Sequence, residues 1–281
     1  MVKKYFQIVG VLTLACFSFI FTEKTALILK ENDTLMKTIK EKQEEYKVES
    51  VNASVNDDTI IPGINGKQVN SSKSYNNMKR LGEFNENLLI YDLVLPEVTL
   101  TKTFDKYIIG GNARKNMVSI IFKVNEKVDE LLNVIDKENN YNFLIDGKWL
   151  ENNEEIFKKI TSYNHNIING SYSGNYLDSG YNWINSVINR HSNQENSYCY
   201  MEEKKDEYLK LCTLHKSYTI IPSLKVNTNP LIEIKNNIKS GDIITIEINE
   251  KTIKEIPLII RYINNKGYKI VNLDELLSED I

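Results

Sequence analysis

Histidine is the residue most often used to hold a transition metal or move a proton near neutral pH, and this chain has three, His165, His191 and His215. No two stand within a few residues of each other, so no single helix or strand offers a histidine pair to a metal. The three cysteines, Cys16, Cys199 and Cys212, form no Cys-x-x-Cys, which removes the common zinc motifs. Carboxylates remain. Glu126, Glu202 and Glu247 are the candidates for metal-free acid/base work, since paired carboxylates at the right separation could hydrolyse a glycosidic bond without a metal. Near the strand ends stand Tyr172, Tyr200, Asn125, Asn169 and Asn249. Aromatic rings stack on sugar faces and amides match hydroxyl donors and acceptors, so this group is the candidate for binding; in a chain with 16 tyrosines it also reads as loop filling.

The elements that must position these residues alternate between period-2 and period-3.6 apolar patterns with short connections, as in an α/β fold with a largely parallel sheet. Met117 to Phe122 reads as a strand leading into a helix bearing Val128, Leu131, Leu132 and Ile135; Phe143 to Ile145 precedes a helix with Ile156, Phe157 and Ile160. Asn166 to Ile168 precedes a helix with Ile184, Val187 and Ile188. Ile243 to Ile248, a helix over Thr252 to Asn265 with Gly267 at its exit, and Tyr268 to Val271 complete the series.

Upstream, residues 51 to 112 read as a small α+β accessory region. It comprises a half-buried strand over Val51 to Asn56, turns at Pro62-Gly63 and Asn65-Gly66, and a helix over Ser71 to Leu81 that stops at Gly82; strands over Leu88 to Leu95 and Val98 to Leu100 follow. Residues 25 to 50 suit a helical stalk with a narrow apolar stripe of Ile28, Leu35, Met36, Ile39 and Tyr46, a face that prefers a helical partner over water; a disordered tether is the other reading.

At the start, Lys3 and Lys4 precede an uncharged apolar run from Tyr5 to Phe21, about long enough to cross a bilayer. The run ends in Phe19, Ile20 and Phe21 rather than the small residues a signal peptidase needs. Residues 1 to 24 are therefore expected to be an uncleaved anchor of a single-pass cell-membrane protein with everything after Thr22 outside. Large residues past Cys16 disfavour lipidation there. Outside the membrane Cys199 and Cys212 could pair; two buried thiols on neighbouring elements is the reading preferred here. The composition, 41% hydrophobic with a net charge of −3, is that of an ordinary globular chain and indicates no nucleic-acid partner.

From Met117 to Leu277 the order of segments resembles the polysaccharide deacetylase family, the NodB-like carbohydrate esterases. The local matches are Phe143-Leu-Ile-Asp-Gly-Lys-Trp149, Asn164-His-Asn-Ile-Ile-Asn169 with Ser171-Tyr-Ser173, Lys239-Ser-Gly-Asp-Ile-Ile244, Ile256-Pro-Leu-Ile-Ile260 and Asn265-Lys-Gly-Tyr268. The resemblance implies a distorted (β/α) barrel over residues 113 to 281. It also implies removal of acetyl groups from a glycan by a divalent metal held by one aspartate and two histidines, with a second aspartate as base.

The residues that chemistry needs are replaced. Where the family has Thr-Phe-Asp-Asp-Gly this chain has Ile121-Phe122-Lys123-Val124-Asn125, which puts Lys123 in the base position and Val124 in that of the metal-binding carboxylate. Glu126 reaches the motif only if the register slips. Gly170 and Gly174 stand for the histidine pair, and His165 matches a structural histidine before it. The arginine motif corresponds to Tyr198-Cys-Tyr-Met-Glu-Glu203, with Cys199 in a degenerate position, and Glu247 stands where a catalytic histidine should end the late strand. The expectation is a pseudoenzyme with no metal or other cofactor, whose groove binds a cell-wall glycan or an envelope protein. The alternative is an active carbohydrate deacetylase with an atypical site.

Overall fold

The computed structural model describes residues 2–101, 103–136, 139–163 and 165–280. Asn164 of the quoted motif lies outside them, as do the side chains of Lys3, Lys4 and Cys16. In chain order the elements are α1 (Val2–Asn32), α2 (Thr34–Lys42), β1 (Ser54–Asn56), β2 (Thr59–Ile61), β3 (Gly66–Val69), α3 (Ser71–Met78), β4 (Tyr91–Val94), β5 (Tyr107–Ile108) and β6 (Met117–Lys123). They continue as α4 (Val128–Leu132), β7 (Asn142–Ile145), α5 (Gly147–Leu150), α6 (Glu154–Thr161), β8 (Asn166–Asn169), α7 (Asp178–His191), β9 (Tyr198–Tyr200) and α8 (Asp206–Leu214). The chain ends with β10 (Tyr218–Ile220), β11 (Leu224–Val226), α9 (Pro230–Asn237), β12 (Ile243–Glu247), α10 (Glu250–Asn265), β13 (Lys269–Val271) and α11 (Leu273–Leu277).

These elements form two compact units, one of Met1–Ser50 with Asn65–Leu95 and one of Val51–Ile64 with Pro96–Ile281. The boundaries at 50 and 112 read from the sequence do not coincide with this division, because Val51–Ile64 pairs with the larger unit's strands while residues 34 to 50 fold with β3, α3 and β4. In the first unit Leu12–Asn32 of α1 has a mean hydropathy of 1.6 and is long and apolar enough to cross a membrane, a property signal sequences share. Asp33 breaks the helix and caps α2 by accepting from Leu35 N at 2.8 Å. Most of the expected stalk stripe is not left for a partner: Leu35, Met36 and Ile39 are buried against Val69, Tyr75 and Met78, while Ile28 stays exposed. Burying them within the chain removes the motive for a helical partner there.

The second unit is built on one curled sheet in the order β1-β2-β5-β10-β9-β8-β7-β6-β12-β11, with β13 also paired to β6. Among the described residues every pairing in it is parallel except β1 with β2, and no ladder joins its two ends, so the barrel is distorted and open. Successive side chains alternate between faces. Along β6, Val118, Ile120 and Phe122 enter the layer under α4, α6, α7, α9 and α10, while Ile121 points into the core on the other face. Inside, Asn142 donates to Ser119 Oγ at 2.7 Å and to Ile120 O at 2.9 Å and accepts from Leu273 N at 2.8 Å, tying β7 to β6 and α11.

Two expected strands differ. Val98 to Leu100 forms no strand, although Val98 O accepts from Ala53 N at 2.8 Å, because Pro96 leaves too short a run to pair. The strand expected over Val51 to Asn56 is reduced to exposed β1, a sheet edge with nothing packed over it. The preference for two free thiols is also corrected. Cys199 on β9 and Cys212 on α8 are joined as a disulfide, since α8 folds back beside the strand it follows. For a sequence separation of 13, closing that loop is worth about 3 kcal/mol. Replacing both cysteines by alanine is expected to lower this unit's stability by that amount in a denaturant titration followed by tryptophan fluorescence; both tryptophans lie in this unit. An unchanged midpoint would mean that the bond is not formed.

Candidate functional site

In a parallel sheet all strands end on one side, and ligands meet such folds at the carboxyl ends. Here that side holds a cavity of about 520 Å³ lined by, among others, Lys123, Val124, Gly170, Gly174, Tyr200 and Glu202. Residues as far apart in sequence as Lys123 and Glu202, 79 positions, thus line one cavity. Glu247 joins them through Lys123, its register partner on the neighbouring strand. The Lys123 ammonium donates to Glu247 Oε1 at 2.9 Å and to Glu202 Oε1, and Lys225 reaches the Glu202 carbonyl at 2.8 Å.

Partial burial of Lys123 favours the neutral amine, but the two carboxylates outweigh it and hold its pKa above the usual lysine range. Reciprocally, the hydrogen bond from Lys123 holds Glu202 below the usual carboxylate range against its own desolvation. The result favours the charged forms of Lys123 and Glu202 together. A carboxyl kept protonated by its surroundings, which a glycosidase acid requires, is not what this arrangement makes of Glu202.

Other sequence candidates are spent on the scaffold. Asn125 donates to Ile248 O at 2.8 Å and accepts from Lys127 N at 2.9 Å. Asn249 caps α10 through Thr252 N at 2.9 Å. Asn169 is buried, bonded to Tyr181 O, Asn185 Oδ1 and Ser171 N. Cys199 faces Cys212, Tyr107 and Tyr181 rather than the cavity, and Glu126 is exposed outside the lining. Tyr172 lines a neighbouring cavity.

The sequence reading missed Asp146, Tyr176, Met201, Glu203, Lys205 and Tyr208, which also line the groove. Asp146 and the pair Met201 and Glu203 lie inside quoted motifs, a signal that was available; Tyr176 and Tyr208 had none. The Tyr176 hydroxyl accepts from Tyr200 N at 2.9 Å and lies 2.8 Å from the carbonyls of Asn169 and Tyr200, so it pins β8 to β9 at the groove floor. The buried hydroxyls of Tyr200 and Thr245 both lack a well-formed hydrogen bond.

A divalent metal does not fit these residues. The positions that the resemblance assigns to its ligands hold an ammonium, an alkyl chain and two glycines, and among the described residues no group of three or more His, Cys, Asp or Glu side chains could hold an ion.

No protein-family model matches the chain. The uncharacterized protein YlxY of Bacillus subtilis (strain 168) is 35% identical over 156 residues, which is 53% of this chain and 48% of that protein; the chain thus matches about half the length of that relative. Among solved structures, the wild-type form of a CE4 family pseudoenzyme from Bacillus anthracis superposes with a TM-score of 0.70 at 24% identity, covering 89% of this chain and 96% of that one. A mutant of the same protein with restored enzymatic activity also gives 0.70, at 25% identity, covering 88% and 99%. Bacillus subtilis PdaA, a family 4 carbohydrate esterase, gives 0.54 at 15% identity, covering 63% and 86%. The curled parallel sheet, its helical layer and these neighbours define a carbohydrate esterase fold of the deacetylase type. The chain has that fold and is similar over most of its length to the pseudoenzyme.

Proposed function

We propose that this chain is a catalytically silent polysaccharide deacetylase-like protein of the cell envelope, anchored by its N-terminal helix with the second unit outside, and that its groove binds a cell-wall glycan. The observation that carries the reading is the Lys123 ion cluster: the groove is lined by Lys123, whose ammonium is clamped by Glu202 and Glu247, and the sequence resemblance assigns this residue to the family's base position. A cation there repels a metal ion, and Val124, Gly170 and Gly174 offer no donor to compensate. Tyr208, half-buried beside the groove, offers a ring to a sugar's apolar face, and Asp146, Glu202 and Glu203 offer acceptors to its hydroxyls. The similarity to a pseudoenzyme of the same family supports the silent reading. The Cys199–Cys212 disulfide supports an oxidising compartment, and Leu12–Asn32 supplies a segment able to span the membrane.

The test uses the full chain purified in detergent, with elemental analysis for zinc, an acetate-release assay on chitin oligomers and peptidoglycan, and calorimetric titration of N-acetylated chito-oligosaccharides. Expected are substoichiometric zinc, no acetate released and measurable oligosaccharide binding. Stoichiometric metal, or acetate release abolished by a chelator, would overturn the silent reading; no binding of any glycan would remove the groove's role.

A further inference from the structure

Beside the groove, the loop from Gly170 to Asn175 is wound tightly: Ser171 at φ 63°, Ser173 at φ 54° and Gly174 at φ 73° are all left-handed. Its two sides serve different cavities. Gly174 lines the groove, whereas Tyr172, Ser173 and Asn175 line a second, open cavity of about 440 Å³ that Gly180 and Trp183 of α7 also line.

The ring of Tyr172 in this second cavity is held in place. A Cβ on Gly147 would stand 2.8 Å from its Cδ2, and one on Gly180 would stand 3.2 Å from its Cβ, so both glycines make room for it. Its hydroxyl donates to Glu151 Oε2 at 3.0 Å. Despite these fixings Tyr172 remains 37% exposed, and Trp183, one of only two tryptophans in the chain, is 38% exposed. Two aromatic side chains, one with its orientation set in advance, thus flank a small-residue floor edged by Ser173, Asn175 and Ser179. Leaving such surface in water is unfavourable unless something covers it. Apolar ring faces with hydroxyl and amide groups at their margin fit a neutral pyranose ring, which is apolar on its faces and hydroxylated at its rim.

We propose that the Tyr172–Trp183 cavity is a secondary subsite that stacks a neutral sugar residue further along the same glycan whose nearer end occupies the groove. The shared loop provides the continuity between the two cavities, and the inference rests on the groove reading above. A ligand too short to reach past Gly174 gains nothing from the subsite; a longer one gains an aromatic contact.

The experiment titrates the full chain with N-acetylated chito-disaccharide and chito-hexasaccharide by calorimetry, in parallel with tryptophan emission. The variant is Trp183→Ala, an exposed helical position where alanine supports the helix. The wild type is expected to bind the hexamer more tightly than the dimer, with a shift in Trp183 emission on hexamer binding only. Trp183→Ala should weaken the hexamer roughly tenfold, the scale of one aromatic contact, without moving the dimer, and Tyr172→Phe, which frees the ring from Glu151, should weaken the hexamer by a smaller factor. If the dimer binds but the hexamer binds no tighter, or if Trp183→Ala leaves hexamer affinity unchanged, the subsite is wrong while the groove reading stands. If neither sugar binds, both fall together.

Discussion

Rebuilding the family's donor set in this chain, as Lys123→Asp with Val124→Asp, Gly170→His and Gly174→His, is expected to give no tight zinc site and to lower the stability of the second unit by roughly 3 to 5 kcal/mol. The obstacle is backbone. Gly170 N donates to Ile145 O at 2.8 Å, extending the β8 ladder with β7 by one residue. A Cβ on Gly170 would sit 2.7 Å from that oxygen and 3.2 Å from its carbon, so the two strand ends must part before any side chain fits. At Gly174 there is open space, but φ is 73°, a conformation that costs an L-residue about 1 to 2 kcal/mol. Aspartate at position 123 then meets Glu202 and Glu247 with only Lys225, held on the Glu202 carbonyl, to offset them. Zinc titration by calorimetry and thermal melts of the full chain read both effects, with Tm expected to fall by roughly 10 °C. Lys123→Asp with Val124→Asp alone, which leaves Gly170 and Gly174 intact, assigns the loss to the glycines if it melts well above the quadruple variant. A quadruple variant that binds zinc stoichiometrically at parental Tm would refute the steric argument.

That obstacle marks the limit of what was legible in the sequence. The apolar periodicities around β6, β7, β8, β12 and α10 placed those elements, because both faces of the sheet are buried and each strand therefore writes a dense apolar run. The stretch from Tyr198 to Ile238 was harder to read: β9, β10 and β11 have three residues each, too few for a period to emerge among lysines and glutamates. For the site, residue type was visible but direction was not. Lys123, Gly170, Gly174 and Glu247 follow from the register of a known fold. Asn125, Asn169 and Asn249 fail as groove residues because an amide at a strand end is also the best available cap for the next turn. Closeness of backbones, as between Gly170 and Ile145, leaves no trace in composition.

The second large effect concerns His165, which the sequence reading assigned to the scaffold. It is 7% exposed, and its Nδ1 accepts from Tyr141 N at 3.2 Å. The rings of Tyr141, Phe143 and Tyr163 lie 5.6, 5.2 and 5.7 Å from its centroid. Burial pushes its pKa down to about 4 from 6.5, with Asp136 opposing weakly. Since the folded pKa lies below the unfolded one, the unfolded chain takes up the proton first. The stability His165 contributes is therefore whole above pH 6.5, declines as pH falls, and is gone below about 4. The full shift corresponds to roughly 3 to 4 kcal/mol, of which about 2 kcal/mol is lost already at pH 5. Glu202 and Glu233 are held below the usual carboxylate range by their partners, so they contribute little between pH 6.5 and 5, where the loss from His165 is largest. Denaturant titrations at pH 7, 6 and 5, followed by tryptophan emission, should show this loss in the wild type. In His165→Phe, which fills the aromatic cage but cannot titrate, the loss should shrink by about 2 kcal/mol, even though Tyr141 N loses its acceptor and the variant starts less stable. Parallel pH profiles for the two proteins would mean that His165 carries its proton in the fold, and that the cage around it is wet.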